Sequence, residues 1–216
     1  MRRAALAVAL VLAAVAAAGQ SPAPPFTREQ ARARLATGDV EERRQATAWL
    51  GDLGVMADAP ALLQALRDGD EIVRALAESS LWRVWSRPGD PEIDALFERG
   101  VEQMQRGAAL AAIQTFTAVI EKRPDFAEGW NKRATLYYLV GEYDKSLRDC
   151  DEVMKRNPGH FGALAGYGQI YLQLDRPERA LEYFQHALAV NPNMPSVEAA
   201  VAELKRLIIE KRRGVI

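Results

Sequence analysis

The amino-acid sequence predicts an all-α fold, an α-solenoid of helical hairpins, and three observations carry that expectation. The first is a 34-residue period. Pro124, Pro158 and Pro192 stand at that interval, and the residues between them repeat in kind: Ala112, Ser146 and Ala180 in one slot, Phe116, Cys150 and Phe184 in a second, Val119, Val153 and Ala187 in a third. The second is apolar spacing at helical intervals in the segment before the period begins, as in Ala46, Trp49, Leu50 and Leu53. The third is punctuation: Thr27, Asp39, Asp70 and Asp90 each stand where a helix N-cap would precede such a run.

Composition narrows the function classes. The chain has 216 residues, 49% hydrophobic and 26% charged, which is globular composition with room for one domain or two small ones. A net charge of −1 supplies no basic field for nucleic acid. Cys150 is the one cysteine, so no disulfide forms within the chain.

Taken in order, the chain opens with Arg2 and Arg3, an apolar run from Ala4 to Ala18, and small residues at Ala16, Ala17 and Ala18. That is the build of a secretory signal peptide over residues 1–18. The competing reading is an uncleaved membrane anchor, against which the run is short: a spanning helix needs about 20 predominantly apolar residues. Export to a bacterial-type periplasm, or secretion, is the expectation, and it accords with a thiol that has no partner. Residues 19–25, with three prolines, read as an extended linker.

Residues 26–88 are helical by pattern but off the 34-residue period. Thr27 and Gln30 form a capping box, Gly38 ends that helix, and Asp39 caps the next, which stops at Gly54. Asp58 and Pro60 open a third helix through Leu62, Leu63 and Leu66; Gly69 breaks it, and Asp70 starts a fourth carrying Val73, Ala77, Leu81 and Val84. Asp39, Arg43, Ala46, Leu50 and Leu53 recur 31 residues later as Asp70, Arg74, Ala77, Leu81 and Val84. The segment resembles a pair of HEAT-type repeats. The resemblance implies an aspartate–arginine ladder from Asp39/Arg43 and Asp70/Arg74. Two such units bury too little to stand alone. They are therefore expected to dock on the first of the following hairpins and cap it, with Trp82 and Trp85 at the junction.

From 90 to 193 the period takes over. Leu96, Trp130 and Leu164 fill a large apolar slot, and Gly100, Ala134 and Gly168 a small one. With the closing prolines, this pattern resembles the tetratricopeptide repeat, in three units of about 91–124, 125–158 and 159–192. The resemblance implies paired antiparallel helices that bury their stripes only by stacking. Proline stops each second helix, and Asp125, Gly159 and Asn193 turn the chain. Arg99 and Arg133 stand where the family usually has leucine, and Gln103 replaces a tyrosine that Tyr137 and Tyr171 keep. A last helix over residues 194–213 carries Val197, Val201, Leu204 and Ile208 on one face and resembles the capping helix of repeat arrays. Its basic cluster, Lys205, Arg206, Lys211, Arg212 and Arg213, is interrupted by Glu203 and Glu210. It reads as solvated cations near a helix C-terminus rather than a contact with acidic lipid.

Catalytic and metal motifs are missing. His160 and His186 have no neighbouring histidine or cysteine at ligand spacing, and no phosphate loop or nucleophile motif occurs. Asp149, Asp151 and Glu152 surround Cys150 and would raise its pKa, so a buried structural thiol is expected, with the carboxylates on the outer face of their helix. The sequence therefore leads to no enzyme, no cofactor, no metal and no small-molecule substrate.

What remains is a surface. In the family the first helix of each unit lines the concave face. The matching positions are Asp94, Phe97, Val101, Met104 and Gln105, then Asn131, Lys132, Thr135, Tyr138 and Leu139, then Ala165, Gln169, Leu172 and Gln173. An exposed strip of Phe97, Met104, Tyr138 and Leu172 with Asn131, Gln169 and Gln173 beside it would take the side chains and backbone of a protein or peptide segment. Val101, Thr135, Leu139 complete the expected binding set. The family's carboxylate clamp needs more lysines and asparagines than Asn131 and Lys132, so a chain's C-terminal carboxylate is not the expected ligand. The function read from the sequence is a non-catalytic adaptor or scaffold of the bacterial cell envelope. The alternatives are a structural subunit using the convex face or ends, an accessory enzyme subunit, and a groove filled by the protein's own helices.

Overall fold

In the computed structural model of the chain, residues 26–212 and 214 are described; the expected signal peptide and linker, residues 1–25, lie outside them. The regular structure among these residues is helical. Helices α1 (Arg28–Thr37), α2 (Val40–Leu53), α3 (Ala59–Ala65) and α4 (Glu71–Trp85) form the N-terminal module. They are followed by α5 (Pro91–Gln105), α6 (Ala109–Lys122), α7 (Ala127–Leu139), α8 (Tyr143–Arg156), α9 (Phe161–Gln173), α10 (Pro177–Val190) and α11 (Pro195–Arg212). Local chemistry sets most starts. Thr27 Oγ1 accepts from the Gln30 amide at 3.2 Å while Gln30 Oε1 accepts from Thr27 at 2.9 Å, and Asp39 and Glu42 repeat the box for α2. Asp70 and Asp90 cap α4 and α5. Asp58 does not cap α3. It is buried, accepts from the Val55 amide at 2.9 Å and pairs with Arg28 at 2.9 Å, pinning α1 to the turn before α3.

Helices α5/α6, α7/α8 and α9/α10 are antiparallel hairpins stacked in sequence order, with α11 on the last. The 34-residue period shows in the backbone itself. Gly107, Gly141 and Asp175 end the first helix of each hairpin at φ of 74°, 80° and 53°, the left-handed conformation that closes a helix and turns the chain. Two sequence slots face each other inside each hairpin. A Cβ on Gly100 would lie 2.8 Å from the Phe116 ring, and one on Gly168 would lie 2.4 Å from Phe184, so phenylalanine on one helix requires glycine on the other. The middle hairpin swaps both members: Ala134 packs with Cys150. The departures from the family pattern are also paired. Arg133 makes a bidentate ion pair with Asp149 at 2.7 and 2.8 Å. Tyr167 and Tyr183, in the same two slots one hairpin later, stack at 4.4 Å. Asp149 is therefore buried, not on the outer face of α8 as expected; bonding to Arg133 makes the burial affordable. Val197, Val201, Leu204 and Ile208 are the buried face of α11.

The N-terminal module does not cap the first hairpin. Trp82 and Trp85 of α4 pack on His160 and Phe161 at the start of α9, with ring centroids 4.5–5.4 Å apart. Arg67 donates to the carbonyls of Ala189 and Val190 in the last turn of α10, a favourable end of the helix for a cation. Arg74 donates to Asn193 at 3.1 Å, and Asn193 donates to the Leu66 carbonyl at 2.7 Å. The module thus reaches across the inter-hairpin turns to the third hairpin. The physical reason is area: Trp82, Trp85 and Phe161 offer each other large apolar faces, whereas the residues joining α4 to α5 are Ser86, Arg87, Pro88, Gly89 and Asp90. Within the module, Arg43 pairs with Asp68 and Arg44 with Asp70, each through two bonds of 2.7 and 2.9 Å. The expected ladder of Asp39/Arg43 and Asp70/Arg74 does not form: Arg43 pairs with Asp68, Asp70 pairs with Arg44, and Arg74 bonds to Asn193 of the repeat array.

Candidate protein-binding groove

Helices α7 and α9 run side by side and leave between them a cleft of about 300 Å³. Its walls include Asn131, Thr135 and Tyr138 from α7 and Ala165, Gln169 and Ile170 from α9, with Ser146 and Cys150 of α8 at its base. Of the residues expected to bind, the cleft brings together Asn131, Thr135, Tyr138 and Gln169; Gln173 joins them through a long 3.4 Å contact to the Tyr138 hydroxyl. Leu139 and Leu172 are exposed beside it. Phe97 is elsewhere. It is 5% exposed, its ring 5.6 Å from Phe116 and 5.2 Å from Phe126, and it belongs to the core of the first hairpin. Val101 and Met104 are half-buried against that same core. The expected strip of Phe97, Met104, Tyr138 and Leu172 is therefore not continuous. Phe126 supplies the reason, since it fills the space into which Phe97 turns.

One end of the cleft is closed by a buried polar cluster that sequence reasoning passed over. Glu128 is 1% exposed and His160 fully buried. Their Nε2···Oε2 distance is 2.9 Å; Asn131 Nδ2 donates to the Glu128 carboxylate at 3.1–3.2 Å and Lys132 Nζ lies 3.0 Å from it. His160 Nδ1 accepts from the Ala163 amide at 3.0 Å, capping α9, so the proton of the neutral ring is on Nε2 and is donated to Glu128. Burial alone would raise the Glu128 carboxyl, but the hydrogen bond from His160 and the nearby Lys132 ammonium outweigh it and hold it below its ordinary value. Trp85 stacks on the His160 ring, and Trp82 lies so close to Gly162 that a Cβ there would be 2.4 Å from the indole. The module thus supports the wall of the cleft. The register that puts Asp94 on the concave face also puts Glu128 and Gly162 there, 34 and 68 residues on, and that was the available signal.

Cys150 is buried, and burial together with Asp149 and Asp151 pushes its thiol up to about 12. It is a packing residue at physiological pH. Among the described residues no group of three histidine, cysteine, aspartate or glutamate side chains is placed to hold a metal ion, and no helix is long and apolar enough to cross a membrane.

Stacked hairpins with a groove along their first helices define an α-solenoid repeat protein. Residues 137–204 match the tetratricopeptide repeat family, so the stretch from the end of α7 into α11 is tetratricopeptide-repeat-like. A TPR repeat-containing protein of Rhizobium etli is 29% identical over 130 residues, 60% of this chain and 62% of the relative. The chain spans less than two thirds of the length of the curated relatives it matches first. Two solved structures share the fold. The Sgt2 TPR domain from Aspergillus fumigatus is 22% identical with a TM-score of 0.55, covering 59% of this chain and 85% of the domain. The first TPR of Spaghetti, bound to an HSP90 peptide, is 19% identical with a TM-score of 0.52, covering 54% and 93%.

Proposed function

We propose that the protein is a non-catalytic adaptor of the bacterial cell envelope that holds a segment of another protein in the groove between α7 and α9. The observation that carries this reading is the cleft itself: apolar at its base, edged by the side-chain amides of Asn131 and Gln169, and left open by the protein's own helices. Apolar depth with convergent amides suits a peptide backbone and its side chains. The envelope location rests on the pattern of residues 1–18. The N-terminal pair is read as HEAT-like on the recurrence of Asp39, Arg43, Ala46 and Leu50 as Asp70, Arg74, Ala77 and Leu81. An HSP90-type C-terminal carboxylate is not the ligand proposed here, because Asn131 and Lys132 already serve the internal carboxylate of Glu128.

The test is recovery of cross-linked proteins from an envelope fraction by wild type and by the double variant Tyr138→Glu, Leu172→Glu. The variant is expected to keep its melting curve within a few degrees and lose its partners. Unchanged recovery by a folded variant would remove the groove as the binding surface.

A further inference from the structure

We infer that the cleft between α7 and α9 is a socket for one large apolar side chain of the bound segment, and that Cys150 makes the room for it. The inference rests on the groove reading above and names what the groove recognises. In the first and third hairpins the space between the paired helices is filled by Phe116 over Gly100 and by Phe184 over Gly168. In the second, the corresponding pair is Cys150 and Ala134. A thiol stands in place of the aromatic ring, and the residue opposite adds only a methyl group. The vacated space is continuous with the groove, since Ala134 and Cys150 both line the cleft of about 300 Å³. Position 165 widens it: Phe97, one of its two equivalents, occupies the first hairpin with a ring, whereas Ala165 leaves the wall short.

A second feature points to a ligand. Asn131 is 91% buried and lines the cleft; its Nδ2 is held by Glu128, while its Oδ1 accepts no hydrogen bond from the described residues. Facing the cleft, that oxygen is placed to accept from the backbone N–H beside an inserted side chain. Charge agrees with an uncharged anchor. Apart from Glu128, which is neutralised by Lys132 and hydrogen-bonded to His160, the concave positions of α7 and α9 carry no acidic residue, and none of the residues of α9 is charged. The occupant fitted by these features is an internal stretch of peptide presenting phenylalanine, leucine or methionine, not a chain terminus.

The repeat supplies its own filling variant. Ala134→Gly with Cys150→Phe reproduces the glycine–phenylalanine pair of the neighbouring hairpins. It is expected to fold and to close the socket without touching Tyr138 or Leu172. The probe is N-acetyl-L-phenylalaninamide, followed by saturation-transfer NMR on the chain from residue 19. A ligand of this size is expected to bind wild type with a Kd of about 1 mM and the filled variant at least tenfold more weakly. N-acetyl-L-lysinamide is expected to bind neither. Cys150→Met, which fills part of the space and needs no glycine opposite, repeats the comparison should the double variant not fold. Equal binding of the phenylalanine probe to wild type and a folded filled variant overturns the socket, as does no saturable binding to wild type. If partners are lost with Tyr138→Glu, Leu172→Glu but retained by the filled variant, the groove reading stands and the socket falls. If neither variant loses them, both fall.

Discussion

Single residues in this protein are intelligible mainly as pairs. Phenylalanine faces glycine in two hairpins and cysteine faces alanine in the third; Arg133 finds Asp149 where Tyr167 finds Tyr183. The sequence shows each member, and the 34-residue period lines up the slots, but which slots face each other depends on how the two helices of a hairpin are rotated. That is why Arg133 reads as a departure in the sequence and as a satisfied ion pair in the fold. Two predictions belong here. Cys150 should resist a thiol reagent in the native protein and react stoichiometrically in urea, since its thiol is buried and held up at about 12; fast native labelling would contradict its packing role. Glu128 should contribute to acid sensitivity. Its carboxyl is held below the ordinary range, so its contribution is complete above about pH 4.3 and declines as pH falls below that. His160→Ala should cost about 3–5 kcal/mol at pH 7 by leaving that buried carboxylate short of a partner, and urea melts at pH 7 and pH 4 should show the difference between variant and wild type narrowing in acid.

At the scale of elements, the helix starts were legible because capping is local. Thr27 and Gln30, Asp39 and Glu42, or Asp90 and Pro91 sit within four residues of one another, and nothing distant is needed to satisfy them. Asp58 looked the same and is not, because its carboxylate is taken by Arg28 from another helix. Docking of the module was not legible for a related reason. The period identifies stacking neighbours, but the curl of three hairpins brings His160 and Phe161 to α4, some 75 residues away in sequence. The sequence marks Trp82 and Trp85 as junction residues but places the junction at the first hairpin, whereas they pack on the third. Trp85 is 3% exposed, so Trp85→Ala should cost about 3–5 kcal/mol. Residues 26–88 alone should be poorly folded, because the cover that α4 receives from α9 is then missing; residues 26–213 should unfold in one main transition. A cooperative thermal melt of the isolated 26–88 fragment, followed by circular dichroism, would show the module to be an independent domain.

For the molecule as a whole, the chain closes on itself: the module touches the third hairpin while its linker enters the first, and the groove lies along the arc between. This closure sets which concave positions stay available. Asn131, Tyr138 and Gln169 remain at the cleft, but Phe97 is drawn into the core by Phe126, and Asn131 is partly committed to Glu128. Concave register alone does not predict such commitments, because they depend on neighbours contributed by other turns of the solenoid. They do predict how substitutions separate binding from stability. Gln169 is exposed and its side chain makes no hydrogen bond within the described residues, so Gln169→Ala should weaken partner binding by about 1 kcal/mol and leave the melting curve unchanged. Tyr138 packs on Tyr143 at 5.9 Å, so Tyr138→Ala should cost about 2 kcal/mol of affinity and a further ~1 kcal/mol of stability. Asn131→Ala should affect both, because it removes a donor from a buried carboxylate as well as an acceptor from the cleft. Leu110 is 75% exposed and lies at the start of α6, away from the cleft, so Leu110→Ala should change neither. Titration of each variant against a partner identified by cross-linking, alongside its thermal melt, gives the four-way comparison. A partner whose affinity responds to Leu110 but not to Gln169 or Tyr138 would sit on the outer edge of the repeats instead of in the groove.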